Sequence, residues 1–427
     1  MRAGDELELT LTALSPRGDG LADVDGRTVH VTGAFPGERI RARVDAVSRQ
    51  HPRAFARLRE LLAPHASRRE PPCPRHASVD GACTGCPLMA LDVEAQRAEK
   101  VTRARALGLP IDGRARGGAA LGYRMSAKRV VGGEAGRVVL GSYRRGTHRL
   151  ADMRGCLVDH PRITDAADAI ADAASAIGVV PFDGESGDLR YVWLKTDGAR
   201  VLATLITASD ETRAEALAAA LPASIAVAHS VQPSRGNALR GGAPRALRGA
   251  GSLTVTMAGV ATEVGPLGFL QPNPAVAADA YRELTRDARG ALALDLYAGA
   301  GVTTALLRER FDEVIPCESY PESAAALGVA PEEVAPFLER LRDRAVDLVV
   351  ANPPRAGLGD AACEALVALG APRLHVMSCD ADTLARDLDA LAGAYSVESL
   401  VAWDTLPQTP HLELVTRLRH AIAPPPR

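Results

Sequence analysis

Ala291-Leu292-Ala293-Leu294-Asp295-Leu296-Tyr297-Ala298-Gly299-Ala300-Gly301-Val302 sets the fold class of this chain. The apolar run Ala291–Tyr297 reads as a buried strand, and the glycines after it let the backbone approach a ligand at a helix N-terminus. The loop is only a GxG, because Thr304 stands where a full dinucleotide fingerprint has its third glycine. Further along, Glu313–Cys317 reads as a second strand ending in Glu318, an acid placed to take ribose hydroxyls. Val346–Ala351 reads as a strand ending in Asn352-Pro353-Pro354-Arg355. Strand, glycine loop, acid and NPP in this order imply a parallel α/β sheet and an S-adenosylmethionine site rather than an NAD site.

The next strand, Arg373 to Met377, leads into Ser378-Cys379-Asp380, with a helix expected over Asp382 to Leu391. A cysteine at the carboxyl end of a strand in such a sheet stands where ligands bind. The helix start beside it favours a nucleophilic thiolate. Glu413 supplies a carboxylate downstream, and His411 shares its strand face. An inert core thiol and an exposed strand carboxylate are the plainer readings of either residue alone.

The rest of the chain divides by composition. Leu7, Leu9 and Leu11 alternate with polar residues, glycine turns follow, and strands are expected near Arg27–Thr32 and Glu38–Val47. That pattern suggests a small oligonucleotide-binding type of barrel. Glu70-Pro71-Pro72 reads as a boundary. Cys73, Cys83, Cys86 and the distant Cys156 form a three-plus-one set. Paired zinc knuckles give two plus two, so the spacing favours an iron–sulfur cubane. Cys317 and Cys363 read as core cysteines. Residues 118–262 read as β-rich, with strands at Ala127–Val131, Arg137–Tyr143, Leu189–Thr196, Val201–Thr207 and Ile225–Val231 and a helix at Glu211–Ala220.

The 427 residues carry a formal net charge of −2 and are 47% hydrophobic, which excludes wholesale disorder and gives no global nucleic-acid signal. Residues 101–150 nevertheless hold eleven Lys/Arg against Asp112 and Glu134, suited to a phosphate backbone or to a solvated face. Arg235, Arg240, Arg245 and Arg248 sit in a glycine-rich stretch that reads as a backbone-tracking loop or an exposed hairpin. Met1-Arg2-Ala3-Gly4-Asp5 lacks the pattern of a secretion signal, and no apolar stretch reaches spanning length. A cytoplasmic protein with no membrane partner is expected, a monomer by default.

With these residues in view, the chain resembles the bacterial class I methyltransferases that make 5-methyluridine in RNA, of the ribosomal-RNA type with a TRAM domain and a [4Fe–4S] cluster. Gly33-Ala34-Phe35-Pro36-Gly37-Glu38 resembles a TRAM turn, and Tyr123-Arg124-Met125-Ser126-Ala127-Lys128 and Tyr143-Arg144-Arg145-Gly146 resemble the central domain. Phe269-Leu270-Gln271-Pro272-Asn273 is similar to the segment whose glutamine contacts the methyl donor. Ser378 to Asp387 resembles the nucleophile motif, and Asp404 with Pro407 to Glu413 the segment carrying the base.

The resemblance implies TRAM over 1–62, a central iron–sulfur and RNA-binding domain over 63–262, and a Rossmann-like methyltransferase domain over 263–427. It implies Cys379 as nucleophile and Glu413 as base. Gln271, Tyr297, Gly299, Val302, Glu318 and Asn352 would hold S-adenosylmethionine, and Cys73, Cys83, Cys86 and Cys156 the cluster. The partner would be RNA, 23S rRNA before tRNA. Asn352 replaces the usual Asp, Val302 a polar residue, and Glu318 to Asn352 is too short for the helix, third strand and donor contact of relatives. Two alternatives follow: an RNA-binding protein with a degenerate donor site, and methylation of a different base position.

Overall fold

A computed structural model describes residues 1–78, 82–234, 236 and 238–421. Two compact units emerge. One comprises 1–70, 87–118 and 275–427; the other comprises 71–86 and 119–274.

The first unit begins with a six-stranded sheet in the order Glu6–Thr10, Arg39–Val47, Arg53–Ala63, Arg27–Thr32, Gly20–Val24, Ala13–Leu14. The expected strands are present, followed by the longer strand Arg53–Ala63. Inward residues at alternate positions, among them Leu9, Val29, Val31, Ile40, Ala42 and Ala54, make its core. Buried Glu38 ties the Phe35 N–H and the Arg68 guanidinium to this core.

The same unit holds a seven-stranded sheet: Phe311–Cys317, Gly290–Leu296, Leu348–Ala351, Arg373–Ser378, Glu413–His420, Tyr395–Asp404 and the short Arg116–Gly117. The first four run parallel, and Glu413–His420 is antiparallel to Arg373–Ser378. The mostly apolar sequences of Leu348–Ala351 and Arg373–Ser378 follow from burial on both faces. The interval between Cys317 and Leu348 contains helices Pro321–Leu327 and Val334–Arg340 and no strand, so Phe311–Cys317 is the sheet edge. Cys317 and Cys363 are buried in this core, as expected.

Helix Val93–Ala106 starts on Asp92, whose side chain accepts the Ala95 N–H at 2.8 Å. It buries polar rather than apolar residues against the segment after Asp404. Lys100 Nζ donates to Asp404 Oδ1 at 2.6 Å and to the Leu406 carbonyl, and Arg97 reaches Asp404 at 3.2 Å.

The second unit is built on its own seven-stranded sheet, ordered Leu150–Asp152, Arg137–Tyr143, Ser126–Glu134, Leu189–Thr196, Val201–Thr207, Ile225–Val231, Arg245–Arg248. One face is covered by helices Pro161–Ala176 and Ala214–Ala220, through Ile163, Ala167, Ile170, Val192, Leu194, Ala203 and Leu205. The first of these helices has no counterpart in the sequence reading. Its stripe is mostly alanine, too weakly apolar to mark a period by eye. A hairpin, Leu253–Met257 with Val260–Val264, packs on Leu202 and Ala228. Among the described residues no helix is long and apolar enough to cross a membrane.

Candidate active site

Three parallel strands of the first unit end at one edge of its sheet and deliver the donor-site residues there. After Gly290–Leu296 the chain turns through Tyr297, which holds a φ of +58°, a strained conformation for a non-glycine residue. Gly299 and Gly301 follow with φ of +55° and +78°. The φ of Gly301 favours glycine there, and a Cβ would also push on Leu327 Cδ2, 2.7 Å away. Glu318 follows Phe311–Cys317, and its carboxylate accepts the N–H of Gly299 at 2.8 Å and that of Tyr320 at 2.7 Å. The acid therefore fixes the glycine loop. Asn352 follows Leu348–Ala351; its Nδ2 donates to Tyr281 Oη at 3.3 Å.

Val302 is buried at the start of helix Val302–Arg308. Thr304, which breaks the glycine fingerprint, donates its hydroxyl to Asp295 at 2.5 Å. Burial pushes that carboxyl up to about 7 against this hydrogen bond. The positive-φ loop and the anchored Glu318 fit an adenosyl donor, and they lie in this unit with Tyr297, Val302 and Asn352. Gln271 belongs to the second unit.

Cys379 leaves the end of Arg373–Ser378, half-buried, just before Asp380, whose side chain caps helix Ala381–Leu391 by accepting the Thr383 N–H at 3.0 Å. Ser378 pairs with Leu414 across the antiparallel ladder, so Glu413 follows opposite Cys379. Glu413 is 6% exposed, and burial pushes its carboxyl up to about 8. Burial raises the Cys379 thiol too, the Glu413 charge raises it further, and Arg355 pulls it down. His411 lies just outside the strand; burial, then Arg355, lower it to about 4, so it is neutral near pH 7.

Arg355 thus acts on Cys379, Glu413 and His411 alike. In the sequence it stands only as the last residue of Asn352-Pro353-Pro354-Arg355. Its place after Asn352-Pro353-Pro354, at the same sheet edge, was the available signal. Tyr281 lies in no motif, and Asp295 sits inside the Ala291–Tyr297 run, where only its burial and its bond to Thr304 give it weight.

In the second unit, Cys86 is held above its usual range by burial, then by Cys156, Cys83 and Cys73. The four cysteines therefore share one neighbourhood. His76 closes the loop, one ring nitrogen 3.0 Å from the Cys86 carbonyl. Among the described residues, however, no group of three or more His, Cys, Asp or Glu is arranged to hold a metal ion. Burial raises Cys156 as well, with the Asp159 charge adding to it.

The basic run over 101–150 is largely spent internally. Arg103 pairs with Asp382, Arg116 with Glu283 and Arg129 with buried Asp159, and Arg105 donates to the carbonyls of Ile111 and Gly113. In the glycine-rich stretch, Arg245 pairs with Glu215 and Arg248 donates to the carbonyls of Leu221, Pro222 and Ile225. Arg235 lies outside the described residues.

Comparison with known proteins agrees with this architecture. The TRAM domain model matches residues 2–56, and the tRNA (uracil-5-)-methyltransferase model matches residues 337–420. An uncharacterized RNA methyltransferase of Geobacter sulfurreducens is 31% identical, covering 98% of this chain and 90% of its own. Another, of Halalkalibacterium halodurans, is 27% identical with 97% of each chain covered. The crystal structure of Pyrococcus abyssi tRNA (uracil-54, C5)-methyltransferase with S-adenosyl-L-homocysteine shares the fold, with a TM-score of 0.77 at 22% identity over 96% of this chain and 99% of that one. Fold and relatives define an S-adenosylmethionine-dependent RNA methyltransferase. Within that class, the chain belongs to the RNA methyltransferase family of the Geobacter sulfurreducens protein, and its residues 337–420 match the tRNA (uracil-5-)-methyltransferase model.

Proposed function

We propose that this protein methylates C5 of a uridine in ribosomal RNA through a covalent Cys379 adduct. The observation that carries the reading is that Cys379 and buried Glu413 flank the last pair of one ladder, Ser378 with Leu414, close enough for the Glu413 charge to act on the thiol. C5 of uracil is a poor nucleophile. The Cys379 thiolate adds to C6, and the displaced π electrons make C5 an enolate carbon. That carbon takes the methyl group, and the donor sulfur keeps the pair of the broken bond. Glu413 then removes the C5 proton, the C5–C6 double bond reforms, and the Cys379 thiolate leaves. Arg355, through its charge, positions this equilibrium toward thiolate and carboxylate. Gln271, Tyr297, Gly299, Val302, Glu318 and Asn352 are assigned to the donor. The base must leave its stack to reach Cys379.

The four cysteines are assigned to a [4Fe–4S] cluster by their donor chemistry and shared neighbourhood, with a structural role. Iron content and the visible absorption of anaerobically purified protein, compared with Cys86→Ser, test that assignment. Action in the cytoplasm as a monomer completes the reading.

The missing strand between Cys317 and Leu348 favours a second reading, an RNA-binding protein that no longer uses the donor. Incubation with tritium-labelled donor and unmodified bacterial RNA decides between them. Label in 5-methyluridine of ribosomal RNA, lost in Cys379→Ala, is expected. Label in transfer RNA alone would overturn the substrate, label surviving Cys379→Ala would overturn the mechanism, and no label with RNA bound would favour the second reading.

A further inference from the structure

The face of the second unit's sheet turned away from its helices carries Tyr191, Trp193 and Lys195, because Val192 and Leu194 point into the helical core. Two ammonium groups stand on the Trp193 ring: Lys128 Nζ at 4.4 Å and Lys195 Nζ at 4.0 Å from its centroid. Lys195 is fully buried and donates only to the carbonyls of Gly265 and Pro266. Arg240 adds a third positive charge to both lysines. Among the described residues no carboxylate offsets either ammonium; burial, then Lys128 and Arg240, lower Lys195 to about 7. A buried cation flanked by cations calls for an anion.

A cavity of about 470 Å³ opens beside this cluster, and Val130 and Tyr191 belong to both. Its aromatic lining comes from Tyr143, His148, Phe182 and Tyr191. Tyr143 is exposed and meets His148 edge-on at 5.5 Å. The Arg190 guanidinium stacks on Phe182 and Tyr191, at 4.6 and 5.6 Å, and its amines donate to the carbonyls of Gln232, Ser234 and Gly236. Asp183, the acid on the rim, is held by the backbone of its own turn. Tyr191 and Trp193 are two residues apart on one strand, roughly 6.7 Å. That step suits a base and the phosphate of a neighbouring nucleotide.

We propose that this cleft is a second RNA subsite, taking one unstacked base between Tyr143, Phe182 and Tyr191, with a backbone phosphate on the exposed Lys128 and Arg240 and the buried Lys195 adding its charge from beneath. It rests on RNA being the substrate, and it is separate from the chemistry at Cys379. Aromatic faces bind any base and the cations bind its backbone, so the subsite orients RNA without reading sequence.

The experiment uses the full chain carrying Trp403→Phe, which leaves Trp193 as its only indole, titrated with a short single-stranded oligouridylate. Quenching of Trp193 is expected. Tyr143→Ala and Phe182→Ala should each weaken binding about tenfold with the salt slope unchanged. Lys128→Gln with Arg240→Gln should reduce the slope by about 1.4. S-adenosylhomocysteine binding, by calorimetry, should stay at its wild-type value in all of these, which shows that they fold. An unmoved Trp193 signal, aromatic variants that bind as wild type, or no oligouridylate binding by a chain that still binds S-adenosylhomocysteine would each overturn the proposal. Loss of methyl transfer alone, with these effects intact, would instead overturn the reading of Cys379.

Discussion

Gln96 and Gln408 exchange hydrogen bonds in both directions: Gln96 Nε2 donates to Gln408 Oε1 at 2.8 Å, and the Gln408 backbone N–H donates to Gln96 Oε1 at 2.9 Å. Both residues are fully buried, and Gln408 holds a φ of +70°. With Lys100 and Asp404, this pair fixes the segment that ends in His411 and Glu413. The polar residues of that segment therefore serve geometry.

Asp404→Ala should accordingly cost about 3–5 kcal/mol, because it strands the Lys100 ammonium in the core. Lys100→Met with Asp404→Leu should cost much less, since no charge is then left unpaired. Urea midpoints measure both. A double variant as unstable as the single one would show that packing, rather than charge, sets the cost.

Glu413→Gln should stall the reaction after methyl transfer. Without a base the C5 proton stays, and the Cys379–C6 bond cannot break by elimination. A slowly migrating protein–RNA band in denaturing gels is expected, carrying the labelled methyl group, and absent in Cys379→Ala. A Glu413→Gln protein that turns over at the wild-type rate would remove Glu413 from the mechanism.

The pH dependence of stability tests the same carboxyl without RNA. Unfolded, Glu413 titrates near 4.5; folded, burial raises it to about 8. Between those values the folded chain holds the extra proton, so this group makes stability fall as pH rises. Glu413→Gln should flatten that fall between pH 5 and 8. Asp295, raised to about 7, keeps its own slope in both proteins, so their difference isolates Glu413. Parallel curves would show that Glu413 is ionised in the folded protein.

Much of this was legible because the donor edge is built from consecutive strand ends. Ala291–Tyr297, Glu313–Cys317 and Val346–Ala351 each announce an apolar run and a loop residue, and the strands fall at Gly290–Leu296, Phe311–Cys317 and Leu348–Ala351. The short stretch after Glu318 was equally readable, since its length leaves no room for another strand. What stayed hidden depends on distant partners. Helix Pro161–Ala176 has an alanine stripe that gains meaning only against Val192 and Leu194. The basic run reads as a phosphate-binding or a solvated face, and only the fold shows Asp382, Glu283 and Asp159 beside three of its arginines. Lys128, inside that run, gains its interest only from Trp193 and Lys195 on the neighbouring strand.

Glu318→Ala should weaken donor binding through the loop as well as through lost ligand contacts. Removing the carboxylate frees the N–H groups of Gly299 and Tyr320. A charged hydrogen bond contributes about 1.5–3 kcal/mol, so a loss of affinity of at least tenfold is expected. Calorimetry with S-adenosylhomocysteine measures it. Unchanged affinity would place the donor elsewhere.

Arg355→Gln should make Cys379 less reactive, because Arg355 is the cation that opposes burial and Glu413 in setting the thiol. Alkylation by iodoacetamide at pH 8, followed by mass spectrometry of the Cys379 peptide, reads the thiolate fraction directly. Each pK unit lost lowers that fraction about tenfold, and Arg355→Lys should restore most of it. Cys363, buried and raised to about 11, should alkylate slowly in every variant and serves as the internal reference. An Arg355→Gln protein whose Cys379 alkylates at the wild-type rate would show that the guanidinium does not act on the thiol.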